Sequence, residues 1–103
     1  MPSMSPAEID RLVLDALREI AKDGVQRRVR NKPVRLAAPK GGDCVYMRIA
    51  LEVEKTGAIT LGLDVLAYYG ELERSLRRLT SRDLVFYNGG GHASQRSFWV
   101  VME

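Results

Sequence analysis

The first hydrophobic pattern of the chain is an amphipathic stripe near its N-terminus. Between residues 5 and 23, apolar side chains recur at intervals of three and four, which is the spacing of one helix face. The apolar positions are Ile9, Leu12, Val13, Ala16, Leu17, Ile20 and Ala21. Ser5 is suited to cap this helix, Pro6 to its first turn, and Glu8 to bond back to the cap. Gly24 is suited to end it in a left-handed conformation.

A second helical pattern covers residues 71–81 and has one apolar and one basic side. The apolar positions are Leu72, Leu76 and Leu79, and the arginines around the other side are Arg74, Arg77, Arg78 and Arg82. Two β-prone runs follow at residues 84–87 and 98–101, separated by three glycines at 89–91 and by polar residues. The pattern predicts a basic helix followed by a β-hairpin with a long tip.

Residues 44–55 fit two templates. As a helix, the segment points Tyr46, Ile49 and Val53 inward. As a strand, Ile49 and Val53 alternate with polar residues, and a turn at residues 55–57 makes a hairpin that returns over residues 59–61. We favour the helix because the elements that follow call for one there, and the hairpin over residues 44–63 stays open.

A short helix is expected between these two segments. Thr60 is suited to cap it, and Leu63 and Leu66 then face the core. A tight turn at residues 69–71 would separate it from the basic helix, with Gly70 supplying the backbone angle of the corner.

Residues 24–42 carry a block of positive charge without a single acidic residue. The basic positions are Arg27, Arg28, Arg30, Lys32, Arg35 and Lys40. Pro33, Pro39 and a glycine pair argue against a helix. The segment is interpreted either as a solvated linker or as a basic arm that follows phosphates, with room for a short strand.

Residues 44–101 resemble the winged helix-turn-helix superfamily of small bacterial or phage DNA-binding regulators. The resemblance lies in the stretch GAITLGLDVLAYYGELERSLRRLTSRDLVFY, with its small-residue turn, glycine corner and Leu-Arg-Arg-Leu helix end. It implies an α+β fold with a three-helix core and a C-terminal hairpin wing. The helix over residues 5–23 is then an extra element, and residues 1–103 form one domain.

The resemblance also implies a set of DNA contacts. The basic helix would enter the major groove while the wing touches the backbone beside it. The helix residues are Arg74, Ser75, Arg77, Arg78 and Arg82, and the wing residues are His92, Gln95 and Arg96. The resemblance does not extend to the basic segment, whose charge separately suggests Arg27, Arg28, Arg30 and Lys32 as arm contacts to phosphates. Glu71 and Glu73 depart from this pattern, and they are explained either by contacts to cytosine or by the helix dipole.

Composition limits which other classes of protein the chain could belong to. With 46% hydrophobic and 28% charged residues the chain is globular, and no apolar run reaches the roughly 18 residues of a membrane span. Cys44 is the only cysteine and His92 the only histidine, so no disulfide, metal site or cofactor site is expected. We expect a cytoplasmic protein that is not an enzyme, since no acid–base or nucleophilic constellation is assembled.

The leading hypothesis is a double-stranded DNA-binding regulator that forms a homodimer through its N-terminal helix. The rival hypothesis is a phage or plasmid accessory factor that uses the same scaffold to bind an acidic protein partner. An RNA-binding domain is a third interpretation of the same positive charge.

Overall fold

The protein has an α+β fold, described by a computed structural model over residues 5–38, 44–57, 65–89 and 96–102. These residues form three α-helices and one four-stranded antiparallel sheet. The helices are Pro6–Ile20 (α1), Val45–Lys55 (α2) and Val65–Ser81 (α3), and a short 3₁₀ turn covers Ala21–Asp23. The strands are Gln26–Val29 (β1), Lys32–Ala37 (β2), Val85–Tyr87 (β3) and Phe98–Val101 (β4).

The start of α1 is confirmed, and its end differs from the prediction. Ser5 is the N-cap, and its hydroxyl oxygen accepts a hydrogen bond from the backbone N–H of Glu8 at 3.2 Å. The helix passes into the 3₁₀ turn, and Gly24 has an extended backbone rather than a left-handed one. A Cβ atom at Gly24 would lie 2.1 Å from the carbonyl oxygen of Leu36, so close approach of β2 requires glycine there.

The helix α1 belongs to the same core as the elements of residues 44–101. Leu12, Val13, Ala16 and Leu17 are buried in one hydrophobic cluster with residues of α2, α3 and the sheet. The apolar stripe that motivated a homodimer through this helix is therefore occupied within the domain. A dimer remains a prediction, but α1 does not offer it an open apolar face.

The basic segment contains a β-hairpin where a linker or arm was expected. β1 pairs with β2 in antiparallel register, with Val29 opposite Lys32. The two residues between the strands, Arg30 and Asn31, have φ of 49° and 68°, which is the left-handed pair that a two-residue hairpin turn requires. Only the end of the segment, residues 39–42, lies outside the described residues.

The sheet has strand order β1-β2-β4-β3 and two different faces. On the inner face Ala37, Phe98, Val100 and Val85 pack against the helices. On the outer face the register aligns Leu36 with Trp99 and Trp99 with Phe86 across three strands. Alternation along β4 therefore sends Phe98 into the core and Trp99 to the other side.

The helical interpretation of residues 44–55 is confirmed, and the strand interpretation is wrong. Tyr46, Ile49, Ala50 and Val53 are buried, as the helical pattern predicts. Packing of α2 against α1 takes up this apolar face.

The predicted turn at residues 69–71 is wrong, because α3 runs without a break from Val65 to Ser81. The proposed cap Thr60 and Leu63 lie outside the described residues. α3 ends in a Schellman arrangement, in which the backbone N–H of Leu84 donates to Leu79 O and that of Asp83 to Thr80 O. Asp83 has a φ of 57°, a position usually taken by glycine.

Replacing Gly70 with alanine tests the continuous helix. A Cβ atom there would meet only the guanidinium nitrogens of Arg74, at 3.6 and 3.9 Å, so it fits without a clash. Because alanine favours a helix interior over glycine, Gly70→Ala should raise the free energy of unfolding by about 0.5–1 kcal/mol. Urea denaturation measures this change, and a loss of stability would indicate the corner that the sequence pattern predicts.

Candidate nucleic-acid interface

A buried carboxylate of α1 sets the orientation of α3. Asp10 is 5% exposed, and its carboxylate accepts a hydrogen bond from Ser75 Oγ at 2.7 Å. Arg78 binds the same carboxylate with two nitrogens, Nη2 to Oδ1 at 2.8 Å and Nε to Oδ2 at 3.0 Å. This bidentate geometry specifies both the distance and the rotation of α3 against α1.

The charge of Asp10 is compensated in place. Burial disfavours its ionised form, but the hydrogen bonds from Arg78 and Ser75, together with the nearby positive charge of Arg78 and Arg82, outweigh that effect. The pKa of Asp10 therefore lies below its usual value, and the carboxylate is ionised at neutral pH.

This arrangement divides the predicted helix contacts into two groups. Ser75 is fully buried, so the prediction that it faces a groove in DNA is wrong. Arg78 is paired with Asp10, so its guanidinium holds α3 against α1 and is not free to contact a partner. Arg74 and Arg77 project outward, and the Arg77 side chain is 81% exposed with only a loose contact to Glu73 at 3.9 Å.

Beside these arginines, α3 and the hairpin of β3 and β4 form the two sides of a groove of about 540 Å³. It is lined by Tyr46, Glu73, Leu76, Arg77, Thr80, Ser81, Tyr87, Arg96 and Phe98. Arg77 stands on the helix side, and the half-exposed ring of Tyr87 stands on the strand side. The groove thus brings a cation, hydroxyl groups and an aromatic ring to one surface.

A hydrogen-bonded cluster of Tyr46, Glu73 and Arg96 lines part of the groove. Tyr46 donates to Glu73 Oε1 at 2.9 Å and accepts from Arg96 Nη1 at 2.7 Å, while the same Nη1 lies 2.9 Å from Glu73 Oε1. Burial raises the pKa of Tyr46, so its hydroxyl keeps the proton that it donates. The cluster joins α2, α3 and the segment before β4.

The hairpin of β3 and β4 is held together at the end where the two strands lead into the residues that connect them. Trp99 Nε1 donates to Asn88 Oδ1 at 2.8 Å, and the backbone N–H of Asn88 donates to the carbonyl of Ser97 at 3.0 Å. The predicted wing contacts His92 and Gln95 lie outside the described residues. Arg96, the third contact predicted for a wing, lies within the described residues, and its guanidinium pairs with Glu73.

The basic residues of the β1–β2 hairpin lie at the other end of the sheet. Strand pairing places Ala37 beside Phe98 at the end of the sheet nearest Arg96, and Val34 beside Val101 at the opposite end. The turn at Arg30 continues beyond that opposite end, where the guanidinium of Arg30 pairs with Asp83 at 2.9 Å. Apart from the buried Ser75, the predicted contacts that lie within the described residues therefore belong to two separate surfaces.

The remaining predicted contacts follow this division. Arg82 is exposed just after α3, at the end nearest the β1–β2 turn. Arg27 and Arg28 are exposed on β1, and Lys32 Nζ donates to the carbonyl of Asp83 at 3.1 Å.

Comparison with known proteins identifies no relative of this chain. No known protein family matches the chain, and no curated protein or solved structure does so significantly. Among the described residues no three histidine, cysteine or acidic side chains are grouped as a metal would need. In that same part of the chain, no helix has the length and apolar character required to cross a bilayer.

Sequence reasoning missed Asp10, although a signal was present. Asp10 lies three residues before Val13 and seven before Leu17, so it falls on the buried stripe of α1. A carboxylate in such a position needs a cationic partner. No comparable signal marks the cluster of Tyr46, Glu73 and Arg96, whose members are far apart in the chain.

Removing the buried carboxylate should destabilise the fold. Asp10→Ala leaves Ser75 without its partner and Arg78 uncompensated, and because Arg78 is partly exposed the loss should be about 2–3 kcal/mol. Asp15→Ala, at an exposed acid of the same helix, is the matched control and should cost within about 0.5 kcal/mol. Equal losses for the two variants, measured by urea denaturation, would contradict the assigned role.

The same carboxylate predicts a pH dependence. A folded-state pKa below the unfolded value of about 3.9 gives stabilisation that is present above that value and is lost as pH falls through the folded pKa. The stability difference between the parent and Asp10→Asn should therefore be constant at neutral pH and should shrink below about pH 4. Thermal unfolding of both proteins across the acid range measures it, and a difference that persists undiminished in acid would exclude this linkage.

Proposed function

We propose that the protein binds double-stranded DNA as a winged-helix protein, with α3 in the major groove and the hairpin of β3 and β4 beside it on the backbone. The observation that carries this proposal is the outward projection of Arg77 from α3, across a groove from the hairpin. Arg74 is exposed one turn before Arg77 and is paired with Glu71. Guanidinium groups on one helix face are suited to guanine edges and phosphate oxygens.

The order of elements supports this assignment. The chain has three helices, two strands between the first and second helix, and a C-terminal hairpin whose second strand, β4, pairs with β2. Apart from β1, this is the order of elements expected of a winged-helix protein. In this assignment α1, α2 and α3 are the three core helices. β1 is then an addition at the edge of the sheet.

The cluster of Tyr46, Glu73 and Arg96 gives the proposed interface its rigidity. It joins the segment before β4 to α3 through contacts of 2.7–2.9 Å. A helix and a hairpin held at one separation can meet the groove and the neighbouring backbone of one duplex together. Such an interface avoids part of the ordering cost of binding.

The two glutamates at the start of the basic stretch are compatible with this role. Glu71 pairs with Arg74, and Glu73 pairs with Arg96 and Tyr46, so each carboxylate is compensated within the protein. Their repulsion of phosphates is correspondingly reduced. The proposed biological role is transcriptional control or another DNA transaction, with no catalytic step and no cofactor.

The direct test is duplex binding by an Arg74→Ala/Arg77→Ala variant. Loss of two guanidinium contacts should weaken binding of a fluorescent duplex of random sequence by roughly tenfold or more, and should reduce the salt slope by about two phosphate equivalents. Fluorescence anisotropy at several salt concentrations measures both quantities. Both side chains are exposed, so the fold should be retained.

Arg11→Ala/Lys55→Ala is the matched control, because it removes two exposed cations from a second groove, which lies between α1 and α2 and has no lining residue on α3. It should bind the duplex with nearly parental affinity. Equal affinity of the parent and the Arg74→Ala/Arg77→Ala variant would overturn the proposal. Failure of the parent to bind duplex, with binding of an acidic protein instead, would favour the rival interaction module.

A further inference from the structure

The outer face of the sheet carries a row of one leucine and two aromatic residues that the proposed DNA interface does not use. Leu36, Trp99 and Phe86 stand side by side on β2, β4 and β3. The helices cover the opposite face of the sheet, where Ala37, Phe98 and Val100 lie. The row therefore faces away from the three-helix core.

Two arginines lie over this row. The guanidinium carbon of Arg27 is 5.4 Å from the centre of the Trp99 ring, and that of Arg30 is 5.8 Å from the centre of the Phe86 ring. Both arginine residues are exposed, whereas Trp99 is only 9% exposed beneath its neighbours. Each pair is a cation–π contact with the charged group on the solvent side.

The charge of this face is strongly one-sided. Residues 24–38 contain no acidic side chain, and Lys32 points to the same face as Arg27 by its place in the strand register. No described carboxylate forms an ion pair with Arg27, while Arg30 shares Asp83. A polyanion would meet Arg27, together with Arg30 and Lys32 that also contact Asp83, above the rings of Trp99 and Phe86.

We propose that this outer face binds single-stranded nucleic acid, with bases stacked on the guanidinium groups over Trp99 and Phe86 and phosphates held by the cations of the β1–β2 hairpin. Unpaired bases stack on aromatic rings and on arginine planes, and a basic surface follows the backbone. This site goes beyond the duplex interface and does not rest on it.

The placement of guanidinium groups over aromatic rings favours single-stranded nucleic acid over other polyanions. A duplex presents no free base faces, and it would use the cations without the aromatic row. An acidic peptide would likewise need only the charge. Arginine over an aromatic ring adds a stacking surface that lysine does not offer.

Trp99 gives a direct readout, because it is the only tryptophan of the chain. Titration of the protein with oligo(dT) and oligo(U) of about 12 nucleotides should perturb its fluorescence saturably at low salt. The two oligonucleotides distinguish DNA from RNA as the source of the strand. Polyglutamate and a blunt duplex at the same charge concentration should leave the fluorescence nearly unchanged.

Variants separate stacking from charge. Arg27→Lys keeps the charge and removes the planar group, and it should weaken oligonucleotide binding roughly tenfold, whereas Arg27→Ala/Arg30→Ala should weaken it roughly a hundredfold. Anisotropy of a labelled oligonucleotide measures both. Arg74→Ala/Arg77→Ala is the control and should bind single strands as the parent does, whatever happens to its duplex binding.

Three results would each overturn the inference. One is an unchanged Trp99 signal with both oligonucleotides, and another is an Arg27→Lys variant that binds as tightly as the parent. The third is an equal response to polyglutamate or duplex, which would make the face a surface for charge alone. Matching unfolding temperatures for the variants ensure that a loss of binding reports the surface and not the fold.

Discussion

The structure depends most on the contact between Asp10 of α1 and the pair Ser75 and Arg78 of α3. Apolar packing alone would bring the two helices together with some freedom of rotation, because hydrophobic contacts are not directional. A buried carboxylate with a bidentate guanidinium removes that freedom. It places Leu72, Leu76 and Leu79 in the core and leaves Arg74 and Arg77 outside. The same interaction therefore determines both the packing of α3 and the surface it presents.

The arginines of this protein divide into those that build it and those that remain for a partner. Arg78 and Arg96 are engaged with Asp10 and Glu73, and they connect elements that are distant in sequence. Arg77 and Arg27 have their charges largely in solvent, one beside the groove of α3 and the other over Trp99. A count of positive residues overstates the binding surface, because guanidinium groups serve as structural donors as readily as they bind anions.

The sequence predicted correctly those elements whose capping residues and apolar pattern lie within one continuous segment. The cap at Ser5 and the stripe of α1 are contained in one segment, and α1 begins as predicted. β1 gave no alternating signal because it is an exposed basic edge strand, and its turn at Arg30 lacks glycine. Gly70 suggested a corner, but the buried positions on α3 and the continuous backbone override that single residue. The position of Ser75 along the helix likewise could not show that it is buried while Arg74 is exposed, because its partner Asp10 lies 65 residues away in the chain.

The most direct test of the central claim is residue-level mapping of duplex binding by amide chemical shifts in solution. The account predicts that shifts change most along the exposed side of α3 around Arg74 and Arg77 and at Arg96 next to the hairpin. It also predicts that amides on the α1 side of the α1–α2 groove, such as that of Asp15, stay unaffected. Changes confined to α1 and α2, or no changes at a duplex concentration that saturates known winged-helix proteins, would contradict it.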